Sequence, residues 1–200
     1  TGFINIEVYD HDKLSHENYG GGTFNTEMDG QPKVESVADI AYKLTGEYAV
    51  VPIAQKYKGQ EVYADIVILA VDSLEARKAI WENNKFSAKY FIDGRMGGTG
   101  CACYGFELED PKSVQAYLNT YEYKDADLAC GEKSTRFVVM RVASQIGEFI
   151  YALLMGKPLP FVQLYDASDS TNVTIYLDKQ GENQNESTET EATIGAAVRA

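Results

Sequence analysis

Ile66-Val67-Ile68-Leu69-Ala70-Val71 is an unbroken apolar run that ends on Asp72, and helix-patterned sequence follows it. A strand with one wet face alternates apolar and polar residues, whereas a continuous run belongs to a strand covered on both faces. The rest of the chain supplies such cover. Phe3 to Tyr9 alternates and is rich in β formers, and Pro32 to Leu44 places Val34, Val37, Ile40, Ala41 and Leu44 at helical spacing behind a proline in the first turn. Tyr48 to Ile53 reads as a second strand, and Ser73 to Asn83 as a helix capped by Ser73. Strands that alternate with helices predict a parallel sheet joined by right-handed crossovers.

Further along, Tyr90 to Asp93 is a strand, Gly94-Arg95-Met96-Gly97-Gly98-Thr99-Gly100 a turn, and Cys101 to Leu108 another strand. A Tyr-rich irregular stretch follows. Ser134 to Met155 predicts a long helix stopped by Gly156-Lys157-Pro158, and Phe161 to Tyr165 with Val173 to Leu177 predicts a closing antiparallel hairpin. From Lys179 onward little can be buried, so residues 179–200 are expected to be a disordered tail behind one domain over residues 1–178. The expected fold class is α/β: a mostly parallel, doubly wound sheet with helices on both faces and a C-terminal hairpin.

Composition narrows the partners. A net charge of -12 repels phosphate backbones and anionic lipid, so neither nucleic acid nor a membrane surface is the expected partner. No apolar run approaches a membrane span, and Thr1-Gly2-Phe3 lacks the basic start of a signal peptide. Three cysteines, an odd number, suit a reducing compartment, and the chain is expected to be cytoplasmic.

Several residues could carry chemistry. Asp10 closes the first strand, and a carboxylate at a strand's carboxyl end lies where an open α/β sheet holds the ribose of a nucleotide. The plainer alternative is an Asp that closes its own loop. Lys33 opens the first helix and is either a phosphate-binding point charge or a solvated lysine. Asp72 ends a buried strand and is either a ligand for a hard cation or a helix cap. Cys130 precedes the long helix, whose N-terminus would favour its thiolate, and its plain alternative is a loop or buried thiol. Cys101 and Cys103 are assigned to opposite faces of their strand, so they are not expected to grip one metal together. His11 and His16 flank the acidic elbow and read as surface residues.

Taken in order, the acidic pair Asp10 and Asp12, then Asn18, then Gly30 and Lys33 entering a helix, then Asp72, resemble the ThiF/MoeB/HesA family of ubiquitin-activating-type adenylyltransferases. The segments Arg95-Met96-Gly97 and Leu164-Tyr165-Asp166-Ala167 add to the likeness, which runs from Phe3 to Leu177. The resemblance implies a Rossmann-like fold that binds ATP and Mg2+ and turns a carboxylate into an acyl-adenylate. The substrate it implies is the C-terminal glycine of a ubiquitin-like or sulfur-carrier protein. It places Asp10, Asp12 and Asn18 around the ribose and phosphates, Lys33 on the phosphates and Asp72 on magnesium. It makes Cys130 the thiol for any acyl transfer, and it implies a homodimer. No Cys-x-x-Cys pair is present, so the zinc of many relatives is not expected.

Two departures stand out. The sequence starts at the strand that should be second, without the family's glycine-rich first turn, so it is either a fragment or a degenerate member. After Asn18 the family carries Leu-Gln-Arg, whereas Tyr19-Gly20-Gly21-Gly22 follows it in this chain, with Gly21 in the place of the cation. Both features suit an alternative, a non-catalytic relative kept as a binding or assembly module. A nicotinamide-dependent dehydrogenase would use Asp10 but leave Lys33 and Asp72 without a role.

Overall fold

The structure is a computed structural model that describes residues 5–21, 23–122 and 136–177. The chain divides into two compact units, one up to Gln60 and the other from Glu61.

In the first unit, β1 (Ile6–Tyr9) and β2 (Val50–Ile53) pair in parallel, with Ile6 beside Val50 and Tyr9 beside Ile53. The crossover between them holds two short 3-10 turns and α1 (Lys33–Thr45). Pro32 fixes the backbone just ahead of α1, and Gly46 ends the helix in the left-handed region at φ 75°, its N–H returning to the Tyr42 carbonyl. Leu14 of the loop and Val34 of α1 are buried apolar side chains of this unit.

The second unit is built on a five-stranded sheet in the order β4-β6-β7-β8-β9. β4 (Ile66–Leu69) runs parallel to β6 (Tyr90–Gly97) after a crossover through α2 (Leu74–Glu82). β7 (Gly100–Glu107), β8 (Val162–Asp166) and β9 (Thr171–Ile175) continue it antiparallel. A short parallel pair, β3 (Val62–Tyr63) with β5 (Phe86–Ser87), flanks this arrangement in sequence. Side chains alternate across β6 and β7. Phe91, Tyr104 and Phe106 pack with Trp81 of α2 and with Tyr117 of α3 (Pro111–Asn119). Ile92 and Cys103 pack with Phe149 of α4 (Arg136–Leu154) on the other face. Helices therefore cover both faces, and β8–β9 is the expected C-terminal hairpin.

Two glycines let α4 lie close to the sheet. A Cβ on Gly94 would stand 3.0 Å from Ile146 Cδ1 and 3.1 Å from Val142 Cγ2, and one on Gly105 would run into the Phe149 ring. This close packing corrects the sequence reading of Gly94 to Gly100 as a turn. β6 continues to Gly97, the reversal is confined to Gly98 and Thr99, and glycine is selected for helix contact instead of chain reversal.

Other expectations need adjusting. The stretch after Leu108 is not irregular throughout, because Asp110 caps Lys112 N and Pro111 starts α3. Cys101 and Cys103 point to the same face, since residues two apart in a strand share a side, and both lie under α4. α4 is long and apolar enough by length and composition to cross a membrane, which the sequence reading had excluded. One stripe of it, Val138, Val142, Gln145, Phe149 and Ala152, is buried within the protein. Finally, the strands at Phe3 to Tyr9, Tyr48 to Ile53, Ile66 to Val71 and Tyr90 to Asp93, expected in one parallel sheet, form two parallel pairs, β1–β2 and β4–β6, in separate sheets. The tail from Lys179 and the loop holding Cys130 lie outside the described residues.

Candidate nucleotide site

The acidic elbow folds back on the start of α1. Asp12 carbonyl accepts the Lys33 N–H at 2.9 Å, Leu14 N donates to the Gln31 carbonyl at 2.8 Å, and Gly30 N donates to the Leu14 carbonyl at 2.9 Å. Gly30 takes φ 78°, a conformation that glycine adopts without strain. These bonds bring two segments some twenty residues apart onto one point. Lys33 Nζ lies 3.2 Å from Asp12 Oδ2 and 3.6 Å from Asp10 Oδ2, with all three side chains partly solvated. Local charge there is one positive against two negative.

Asp10 takes the plainer of its two anticipated parts and closes its own loop. Its Oδ1 accepts the Asp12 N–H at 2.8 Å, which closes the loop, while Oδ2 faces Lys33. Asn18 is less free, because its Oδ1 accepts the Ser15 N–H at 3.0 Å and so holds the 3-10 turn. His11 is exposed, as expected, and its ring with the carboxylates of Asp10 and Asp12 puts three donor groups within 4.8 Å of one another.

An open depression of about 780 Å³ follows β2 and is lined by His11, Gln55, Lys56, Lys58, Gly59 and Gln60. It marks the carboxyl ends of β1 and β2, where open α/β sheets bind ligands. Lys56 and Lys58 were overlooked in the sequence, although two lysines directly after a strand that pairs with the Asp10 strand were a usable signal.

In the second unit, Asp72 follows β4 and is exposed, and Ser73, not Asp72, caps α2 by accepting the Ala76 N–H. Behind Asp72 lies a buried ionic cluster that the sequence did not announce. Arg77 of α2 pairs with Asp93 of β6, donates to the Val71 carbonyl beside Asp72, and reaches the Gly94 carbonyl at 3.0 Å. Arg95 Nε donates to Asp93 Oδ2 at 2.7 Å, and the Tyr117 hydroxyl donates to the same oxygen at 3.0 Å. Burial works against the Arg95 charge, but neighbouring Asp93 outweighs it and keeps the guanidinium protonated. The Arg95 plane also lies over Tyr104 at 4.5 Å and Tyr117 at 5.2 Å. The cluster fixes the carboxyl end of β4 against β6.

Cys101 and Cys103 are buried free thiols. Burial pushes Cys101 up to about 11 and Cys103 further still, so neither is a thiolate at neutral pH.

Solved structures share this fold. E. coli MccB with ATP aligns at a TM-score of 0.61 and 13% identity, over 88% of this chain and 57% of that one. E. coli MccB with AMPCPP and selenomethionine MccA aligns at 0.63 and 13%, over 89% and 58%. Selenomethionine PaaA aligns at 0.55 and 12%, over 85% and 63%. The chain spans about three fifths of the length of these structures. No curated protein matches it in sequence. The profile of the ThiF family, however, matches residues 1–188, and the chain belongs to the ThiF family.

Proposed function

We propose that this protein uses ATP to convert a carboxylate into an acyl-adenylate, and that the carboxylate is the C-terminal glycine of a ubiquitin-like or sulfur-carrier protein. The observation that carries the reading is the meeting of Lys33 with Asp10 and Asp12 at the carboxyl end of β1, in a chain of the ThiF family. MccB, a structural neighbour, has been solved with ATP and with MccA, which supports a nucleotide and a polypeptide as the two substrates.

In this mechanism Asp10 holds the ribose hydroxyls, with Asp12 and Asn18 bordering the same end of the nucleotide. Lys33 exchanges its carboxylate partners for the phosphates, an exchange open to it because both of its ion pairs are solvated. A carboxylate oxygen of the carrier attacks the α-phosphorus. The new O–P bond forms as the bond to the β-phosphate oxygen breaks and pyrophosphate leaves, so no proton transfer is required. Catalysis is then mostly positioning and charge neutralisation.

Asp72, a solvated carboxylate at a strand's carboxyl end, would hold a Mg2+ ion, a hard cation that needs only one or two protein carboxylates and would supply charge neutralisation. Arg77 keeps that strand end in place through the Val71 carbonyl. In any thiol step that follows, the Cys130 thiolate would attack the acyl carbon, forming a thioester as the bond to the adenylate oxygen breaks and AMP leaves, in a cytoplasmic, reducing setting that keeps the thiol free.

A second reading, a non-catalytic binding module, is favoured by Gly21 standing where the family places a cation. Calorimetric titration with ATP and Mg2+ separates the two. The enzyme reading expects saturable binding that Lys33→Ala weakens by roughly 10- to 100-fold, the value of a charge-assisted contact. Absence of nucleotide binding, or binding indifferent to Lys33→Ala and Asp10→Asn, supports the module.

A further inference from the structure

The loop that leaves β2 is braced by its own bonds. Asp10 N donates to the Ile53 carbonyl at 3.2 Å, so the loop starts beside the acidic elbow. Gln55 N returns to the same carbonyl at 2.7 Å, the Tyr57 hydroxyl donates to the Gln60 carbonyl at 3.1 Å, and Gly59 turns the chain at φ 85°. The Tyr57 ring meets Tyr9 of β1 edge to face, with the centroids 6.3 Å apart. Lys56 and Lys58, on either side of Tyr57, line the open depression of about 780 Å³ together with His11.

Charge sets this lining apart from the rest of the chain. The net charge is -12, yet no carboxylate lines the depression, and the first arginine in the sequence is Arg77, which belongs to the second unit. The ion pairs of the first unit join His11 to Asp12 and Lys33 to Asp10 and Asp12, so neither Lys56 nor Lys58 has a carboxylate partner among the described residues. The other lysines of the unit are placed elsewhere. Lys43 sits in the last turn of α1, about 15 Å along the helix from Lys33, and Lys13 is tied by its backbone to Pro32 and is not part of the lining.

We propose that Lys56 and Lys58 bind the phosphates of the nucleotide from the β2 side of the elbow, an inference that rests on the ATP reading above. A triphosphate brings several negative charges to a place where one lysine already answers two carboxylates. Lys33 alone leaves that balance negative, so phosphates held there would be repelled by Asp10 and Asp12. With Lys56 and Lys58 added to Lys33, three cations face the two carboxylates and the local sign reverses. Neither of the two gives up an ion pair on binding, whereas Lys33 exchanges its own. Their ammonium groups donate to phosphate oxygens as point charges, without the fixed fork of a guanidinium. Because Tyr57 anchors the loop on β1, both lysines stand on a braced segment.

Calorimetric titration of the whole chain with adenosine, AMP and ATP, each with Mg2+ present, tests it. Lys56→Ala with Lys58→Ala should weaken ATP by roughly 10-fold, weaken AMP by less, and leave adenosine within about 2-fold, because the loss grows with the number of phosphates. Lys56→Arg with Lys58→Arg should keep ATP affinity within about 3-fold, and Lys43→Ala, at the far end of α1, should leave it unchanged. An equal loss for adenosine and ATP overturns the proposal, since the loop would then serve the nucleoside or the fold. ATP binding indifferent to the alanine pair overturns it too, as does a loss shared by the arginine pair or matched by Lys43→Ala. If the unaltered chain binds no nucleotide, the ATP reading fails by itself and tripolyphosphate decides the role of the lysines. Tripolyphosphate binding weakened by the alanine pair upholds the phosphate site, and binding that is absent or indifferent overturns it.

Discussion

Replacing Asp93 by Asn removes the one anion of the buried cluster while keeping its shape. Asp93 is fully buried between Arg77 and Arg95, and the cluster carries two positive charges against one negative. Without the carboxylate, two guanidinium groups remain side by side out of water, and uncompensated buried charge of this kind costs roughly 3–5 kcal/mol. Arg77→Met is the contrasting change. It leaves Asp93 balanced by Arg95 and the Tyr117 hydroxyl, and removes donors to the Val71 and Gly94 carbonyls, for a loss of about 2 kcal/mol. The order follows from charge balance, since both substitutions remove the same ion pair. Urea unfolding followed by Trp81 reports this region directly, because the only tryptophan has its ring centroid 5.3 Å from Phe91 and 5.4 Å from Tyr117. A loss below about 1 kcal/mol for Asp93→Asn, or a larger loss for Arg77→Met, would refute the charge-balance reasoning.

Two further substitutions and one pH series probe the sheet. Gly105→Ala should cost roughly 1–3 kcal/mol by driving a methyl into the buried Phe149 ring, and Phe149→Leu should recover part of that loss, both measurable by urea unfolding. Cys101 and Cys103 should resist iodoacetamide at pH 8 in the folded chain and react once it is unfolded, as read by peptide mass spectrometry. Because burial raises the Cys101 thiol from 9.0 to about 11, the folded chain favours the neutral form. Its contribution is intact below pH 9 and declines as pH rises toward 11, where unfolded thiols ionise and folded ones do not. Stability that is flat across this window would contradict the burial of the thiol.

The fold was legible where a pattern repeats and obscure where a contact decides. α1 and α2 lie within two residues of their expected ends, since apolar spacing, Pro32 and Ser73 are local signals. The continuous run at Ile66 announced a strand beside another parallel strand, β6, but the expected cover on both faces is incomplete, because β4 ends its sheet and Ile68 is 42% exposed. Gly94 to Gly97 looked like a turn because glycine serves both chain reversal and close packing, and only α4 lying over Gly94 shows which is at work. α3 was missed behind a run of tyrosines, although Asp110-Pro111 is a capping pair. The geometry supporting Lys33 was hidden too. Its placement rests on backbone bonds between segments distant in sequence, whereas its identity came from the family likeness. Arg77, Asp93 and Arg95 fell in segments read as helix, strand and turn, and a buried charge leaves no periodic trace.

The central claim, activation of a carboxylate by ATP, is tested most directly by isotope exchange between radiolabelled pyrophosphate and ATP, using the whole protein encoded by its gene. Exchange is expected to require both Mg2+ and a carrier polypeptide with a free C-terminal glycine, to be lost when that carboxylate is amidated, and to fall at least about 10-fold with Lys33→Ala. Exchange that persists without the carboxylate, or is unchanged by Lys33→Ala, would contradict it, as would an absence of exchange from a protein that binds ATP and the carrier together.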